Sequence, residues 1–257
     1  MIPLSDENPT LRTAVVTIGL LILIGAVWIF VQGAGFDAGM LAASVCNLGL
    51  VPGEITHTAA VGTAVPIGEG LTCTVDSDPI NYLTPLTSMF LHGSWSHILG
   101  NGLFLWVFGN NVEDSMGRLR FLVFYLICGL VAAGAQIAIA PTSPVPMVGA
   151  SGAISGVMGA YLVLYPTARV NTLFFFIVFI RIIPLPAWVI LLYWFALQTL
   201  MALPQLAGVQ ETASGGPAVM AHVGGFLTGV LLVKLFENRS LVEERTRQNR
   251  RPFARGA

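Results

Sequence analysis

The chain has 257 residues, of which 55% are hydrophobic and 10% charged, with a formal net charge of −1 at pH 7. That charged fraction, with a mean hydropathy of +0.78, is far below what an ordinary soluble domain of this size needs to cover itself. The composition excludes a water-soluble globule, suggests no nucleic-acid partner, and points to an all-α polytopic membrane protein.

Apolar runs long enough for a hydrocarbon layer of ~30 Å fall near 13–32, 96–112, 119–140, 149–165, 186–203 and 217–236. They predict a bundle of six transmembrane helices. The first run is too long for a signal-peptide core and lacks a small-x-small cleavage site, so it reads as a retained anchor, with the mature chain starting near Met1. The segment 171–181 is apolar but short, and it ends at Pro184 and Pro186, which cannot continue a helix. An interfacial element on the cytoplasmic side is expected there. The organisation expected is a short cytoplasmic N-terminus over 1–12, a membrane domain over 13–236 with an extracytoplasmic first loop over 33–95, and a charged cytoplasmic tail over 237–257.

Lys and Arg flanking membrane spans stay on the cytoplasmic side. Arg12 precedes the first segment, Arg118 and Arg120 lie between the second and third, Arg169 and Arg181 between the fourth and fifth, and Lys234, Arg239, Arg245, Arg247, Arg250, Arg251 and Arg255 close the chain. The first loop, which carries Asp37, Glu54, Glu69, Asp76 and Asp78, has neither Lys nor Arg, and the same holds for 141–148 and 204–216. Both termini are therefore expected in the cytoplasm. The second, fourth and sixth segments then run inward, which puts His97, Ser151 and His222 at one depth just below the outer surface.

A serine hydroxyl becomes a nucleophile when a base within hydrogen-bond reach takes its proton, and a neutral histidine suits that role near pH 7. Ser151 and His222 can meet only if their helices pack closely. Gly152, Ser155, Gly156 and Gly159 lie broadly on the Ser151 side, and Gly225 and Gly229 follow His222 at i+3 and i+7, a spacing that lets transmembrane backbones approach. The plainer reading is that these glycines serve packing alone and that Ser151 is a helix N-cap. His97 and Asn101 share one helix face at i, i+4. With the Ser151 backbone N–H they could hold an oxyanion, or they could simply glue helices together. His92 fits either a surface position or a partner of this pair. The sixth segment has no carboxylate, so the catalytic unit expected is a Ser–His dyad oriented by helix packing. No His-Glu-x-x-His zinc motif and no transmembrane aspartate pair is present.

His97-x-x-x-Asn101, Gly149-x-Ser151-Gly152 and Ala221-His222-x-x-Gly225-x-x-x-Gly229, in that order, resemble the rhomboid family of intramembrane serine proteases. The resemblance implies cleavage of transmembrane proteins near the outer membrane face. Ser151 would be the nucleophile and His222 the base and later acid, with His97 and Asn101 supporting the oxyanion. It also implies a preference for small residues at the scissile bond and for helices that unwind readily. Neither a metal nor an organic cofactor is expected. Glu113 and Gly117 resemble a family position that ties the end of the second helix to the next loop. Two departures stand out: the first loop lacks the Trp-Arg pair of some members, and Ser155 occupies a place often held by a bulky side chain packed on the catalytic histidine. Ser155 could instead bond to His222, and it is the rival nucleophile, a turn (~5.4 Å) deeper.

Cys128 reads as inert packing. Cys46 and Cys73 lie in the outer loop, where they would be either a disulfide closing a cap over the site or two free thiols. The mixed-charge tail reads as solvated or as a binder of anionic lipid. Trp188, Tyr193, Trp194 and Phe195 read as lipid-facing or core anchors of a helix that flanks a lateral entry path for substrate. The partners expected are transmembrane protein substrates and the lipid bilayer, and the location a bacterial plasma membrane; the sequence leaves the oligomeric state open. Two rival readings remain: a catalytically silent rhomboid-like protein that binds transmembrane clients, and a transporter, against which the shallow polar layer argues.

Overall fold

The computed structural model describes residues 1–68, 70–77, 79–176, 179–206 and 218–249. Glu69, Asp78, most of the 204–216 connection, Arg250, Arg251 and Arg255, which enter the charge argument, lie outside the described residues.

Each of the six apolar runs forms a helix: α1 (Val15–Phe30), α5 (Trp95–Met116), α6 (Arg118–Ile139), α7 (Ser151–Leu164), α8 (Ala187–Leu206) and α9 (Val219–Phe236). The helices α6, α8 and α9 are long and apolar enough to cross a membrane by themselves. The protein is an integral membrane protein built as a helical bundle. At its centre stands α7, only 14 residues long, with every residue from Gly152 to Tyr161 buried. Its neighbours fill the core with large side chains, among them Phe108, Phe121, Phe124 and Tyr125. The ring of Phe108 meets that of Tyr161 edge-on at 5.0 Å.

The loop between α1 and α5 is folded. It holds α2 (Ala38–Leu48), the short α3 (Pro52–Ile55), the paired strands β2 (Ala64–Gly68) and β3 (Leu71–Thr74), and α4 (Thr84–Thr87); β1 (Ile2–Asp6) stands apart, at the start of the chain. Cys46 of α2 and Cys73 of β3 are joined in a disulfide, so of the two readings left open by the sequence the paired one is found. The loop also clasps the segment that leads into Ser151. Leu50 and Met147 exchange backbone hydrogen bonds of 3.0 and 2.7 Å, and the Gly53 N–H donates to the Ser143 carbonyl at 2.8 Å.

Two features lie outside the six apolar helices. The described part of the segment 171–181 lies in two antiparallel strands, β4 (Arg169–Phe176) and β5 (Phe179–Pro186), with β1 added on the far side of β4 to give the order β1-β4-β5. Proline is tolerated on an edge strand, where its missing N–H is not needed; Pro184 and Pro186 lie on such an edge. The charged tail forms α10 (Arg239–Asn249), which packs onto the bundle. Arg245 is 4% exposed. It pairs with Asp114 at 3.6 Å, donates to the side chain of Asn8 at 2.7 Å, and stacks over the Tyr165 ring at 4.5 Å.

Glu113 takes a different partner from the one the resemblance implies. Its carboxylate accepts from the Val16 N–H at 3.0 Å and from the Thr17 N–H and hydroxyl, both at 2.8 Å, and so caps the start of α1. A negative group there satisfies donors that the helix leaves open and complements its dipole. Gly117, at φ +82°, makes the one-residue turn from α5 to α6.

Candidate active site

Ser151 is the first residue of α7, so its backbone N–H has no partner within the helix and points toward the N-terminal, positive end of the helix dipole. His222 sits in the first turn of α9. The two helices touch backbone to backbone. A Cβ on Gly225 would fall on the carbonyl oxygen of Gly152, and one on Gly229 on the carbonyl oxygen of Gly156. A Cβ on Gly152 would stand 2.7 Å from Ala132 of α6. With no side chains at the crossing, Ser151 Oγ and His222 Nε2 come to 2.7 Å.

The other imidazole nitrogen, Nδ1, lies 3.0 Å from Gln198 Oε1 on α8. Trp194, one turn earlier on α8, packs its ring 6.0 Å from the imidazole, and Phe195 stacks on Phe226 at 4.5 Å. The histidine is thus buttressed from α8. Ser155 turns away from it: 1% exposed, Ser155 donates to the Ser151 carbonyl at 2.6 Å. Its hydroxyl is thus engaged by the backbone of its own helix and not by His222.

His97 and Asn101 project from the first turns of α5, whose start is capped by the Ser94 side chain accepting from the His97 N–H. Between His97 and Ser151 lies Gly149, at φ +130°, where a Cβ would stand 2.7 Å from His97 Nε2 and 3.5 Å from Ser151 Oγ. Only glycine leaves this gap open, both for space and for backbone conformation. Gly149 is pinned by its N–H donating to the Ser88 carbonyl at 2.9 Å.

His92 proves to be a fully buried partner of the pair. Its Nε2 is 2.8 Å from Asn101 Nδ2, and its ring meets that of His97 edge-on at 5.0 Å. Gln32, at the end of α1, grips the His92 backbone from both sides: Oε1 accepts from the His92 N–H at 2.8 Å and Nε2 donates to the His92 carbonyl at 2.7 Å. His97, Asn101, Gly149, Ser151 and His222 line a cavity of about 610 Å³ bordered also by Gln136 and Gln198. Sequence reasoning missed Gln32 and Gln198. The signal for Gln198 was its place as an amide inside an apolar membrane-length run, where polar side chains usually have a partner.

A family model described as the Rhomboid domain matches residues 81–239. The chain is 30% identical to the chloroplastic Rhomboid-like protein 11 of Arabidopsis thaliana over 163 residues, 58% of this chain and 51% of that one. It is 43% identical to the Rhomboid protease GluP of Bacillus subtilis over 77 residues, 30% of this chain and 15% of that one. It is 31% identical to the mitochondrial Rhomboid protein 1 of Saccharomyces cerevisiae over 158 residues, 56% of this chain and 39% of that one. The chain spans about half the length, or less, of these relatives. With a matched region that takes in α5 through α9 and every candidate site residue, the chain belongs to the rhomboid family.

Proposed function

We propose that this protein is an intramembrane serine endopeptidase that hydrolyses peptide bonds of transmembrane substrates through a Ser151–His222 dyad. The observation that carries the reading is the 2.7 Å separation of Ser151 Oγ and His222 Nε2. In the first step His222 Nε2 takes the hydroxyl proton as Oγ attacks a substrate carbonyl carbon, and the carbonyl oxygen becomes an oxyanion. The Ser151 N–H, His97 and the Asn101 amide surround the place where that charge develops, and fixed donors there lower the barrier. His222 then gives its proton to the leaving amine, which departs and leaves an acyl-enzyme. Water activated by the same imidazole completes hydrolysis, and the serine is regenerated. The route needs no metal or cofactor.

Depth follows from helix length. At 1.5 Å per residue a helix of the length of α7 spans about 21 Å, well short of a ~30 Å hydrocarbon layer. With its far end at the cytoplasmic boundary, Ser151 is recessed below the outer face yet open to water through the polar cavity. We place both termini in the cytoplasm of a bacterial cell whose plasma membrane holds the protein: Arg12, Arg245 and the three-stranded sheet share the end of the bundle opposite Ser151, as the distribution of basic residues requires. Residues 13–236 are the membrane domain in this reading. Substrate enters laterally past α8, where Trp188 is half-exposed.

The test is a fluorophosphonate probe applied to purified protein, with cleavage of a model transmembrane substrate by wild type, Ser151→Ala and His222→Ala. Labelling and cleavage that vanish in both variants are expected. A folded wild type that does neither would overturn the reading in favour of a catalytically silent, client-binding member.

A further inference from the structure

His222 has two neighbours with opposite hydrogen-bonding character. A side-chain amide oxygen can only accept, so the 3.0 Å contact between His222 Nδ1 and Gln198 Oε1 is a hydrogen bond when the proton is on Nδ1. In a neutral imidazole the other nitrogen then carries the lone pair. That nitrogen, Nε2, is the one 2.7 Å from Ser151 Oγ. The opposite tautomer would turn an N–H toward the serine hydroxyl, and the imidazole could not take its proton. Neither α8 nor α9 contains a carboxylate. Ser155, the nearest hydroxyl to Ser151 along α7, is committed to the Ser151 carbonyl.

We propose that Gln198 is a positioning residue for His222, holding Nδ1–H so that the imidazole keeps the tautomer and ring orientation in which it serves Ser151 as base. The proposal rests on the proteolytic reading above. It turns the dyad into a three-residue relay whose third member is a neutral amide, the part an asparagine plays in Cys-His-Asn sites. Trp194 and Gln198 are i, i+4 on α8 and so share a face; the first packs on the imidazole ring and the second fixes its nitrogen. Ring plane and proton position are thereby set by one helix, while α9 supplies only the attachment. Unlike a carboxylate, the amide adds no charge to the site, so it orients the base without strongly stabilising the imidazolium.

The experiment compares wild type, Gln198→Met and Gln198→Glu. Methionine keeps the bulk and removes the acceptor; glutamate keeps an acceptor oxygen. The readouts are the second-order rate of Ser151 labelling by a fluorophosphonate, which needs no transmembrane substrate, and kcat and KM on a model substrate, with melting temperature as the fold control. Q198M is expected to slow labelling and kcat by about 10- to 100-fold, the usual effect of losing an orienting outer hydrogen bond, with KM within about twofold because uniform binding is untouched. Q198E is expected to recover most of the labelling rate. A merely structural glutamine would lower melting temperature in both variants without this split. A wild type that labels and a folded Q198M that labels equally fast would overturn this proposal alone; a wild type that neither labels nor cleaves would overturn it together with the proteolytic reading. If Q198M fails to fold, nitrogen-15 NMR of histidine-labelled wild type, assigned with His222→Ala, decides: a proton on Nδ1 is expected, and one on Nε2 overturns the proposal.

Discussion

Gly229 of α9 lies directly beneath the carbonyl oxygen of Gly156 on α7, with no room between them for a methyl group. The same relation recurs one turn along, between Gly225 and Gly152. These two contacts set the separation of the helices that carry Ser151 and His222. In Gly229→Ala the added carbon forces the backbones apart, an overpacking cost of about 1–3 kcal/mol. A displacement near 1 Å at the Ser151–His222 pair is enough to lower the rate by about 10²-fold. Melting temperature and fluorophosphonate labelling rate, measured together, check both effects, and the labelling loss is expected to exceed what partial unfolding explains.

Gly149→Ala is expected to act on chemistry more than on the fold. Its Cβ would press into the His97 imidazole from a backbone angle that L-residues rarely adopt. Cleavage and labelling should fall by about 10²-fold or more. Retention of near-wild-type labelling would remove His97 and Gly149 from the oxyanion region.

The Cys46–Cys73 bridge closes a loop with a sequence separation of 27. In the chain-entropy account such a closure stabilises by roughly 3–4 kcal/mol. A Cys46→Ala, Cys73→Ala double variant is expected to melt lower than wild type. Alkylation followed by mass spectrometry should find Cys46 and Cys73 blocked before reduction and reactive after it.

Glu113→Ala removes the acceptor of three hydrogen bonds at the start of α1. With the donors left in a buried setting, the expected loss is about 2–4 kcal/mol. Because Glu113 is at the opposite end of α5 from His97 and Asn101, kcat of the folded fraction should stay close to wild type.

Asp6 carries a pH signature. Burial holds its carboxyl above the ordinary aspartate value, against the pull of the Tyr161 hydrogen bond and the Arg245 charge. The folded state therefore binds the proton more tightly than the unfolded one. Stability from this group is fully present below an unfolded value of about 4, declines as pH rises through the raised folded value, and levels off above it. Melting temperature in detergent followed from acid to neutral pH should contain this decline, and Asp6→Asn should remove it.

All six apolar runs were legible because each is a local stretch of apolar residues, a property a segment carries by itself even where, as in α7, the helix is too short to span a hydrocarbon layer. The second run extends further than its hydropathy suggests, from 112 to Met116. Its last turn holds Glu113 and Asp114, polar groups made acceptable by partners at the N-terminus and on α10. The pairing of β4 with β5 was not legible. An apolar stretch broken by prolines fits an interfacial segment as well as an edge strand, and its pairing with β1 joins residues far apart in the chain. For the cysteines, sequence narrowed the question to two loop thiols, and the fold of α2 against β3 brought them together.

The sequence by itself determined the class of protein, the order of its membrane segments, and which polar residues stand near their ends, since each follows from composition and local spacing. Only the tertiary structure decided that Ser151 faces His222 Nε2, that Gln198 faces Nδ1, and that His92 and Gln32 stand behind Asn101. Those relations depend on how far each helix is rotated and how closely it approaches its neighbour. Rotation and approach arise from glycine contacts and side-chain interlocking between segments, which no single stretch of the chain contains.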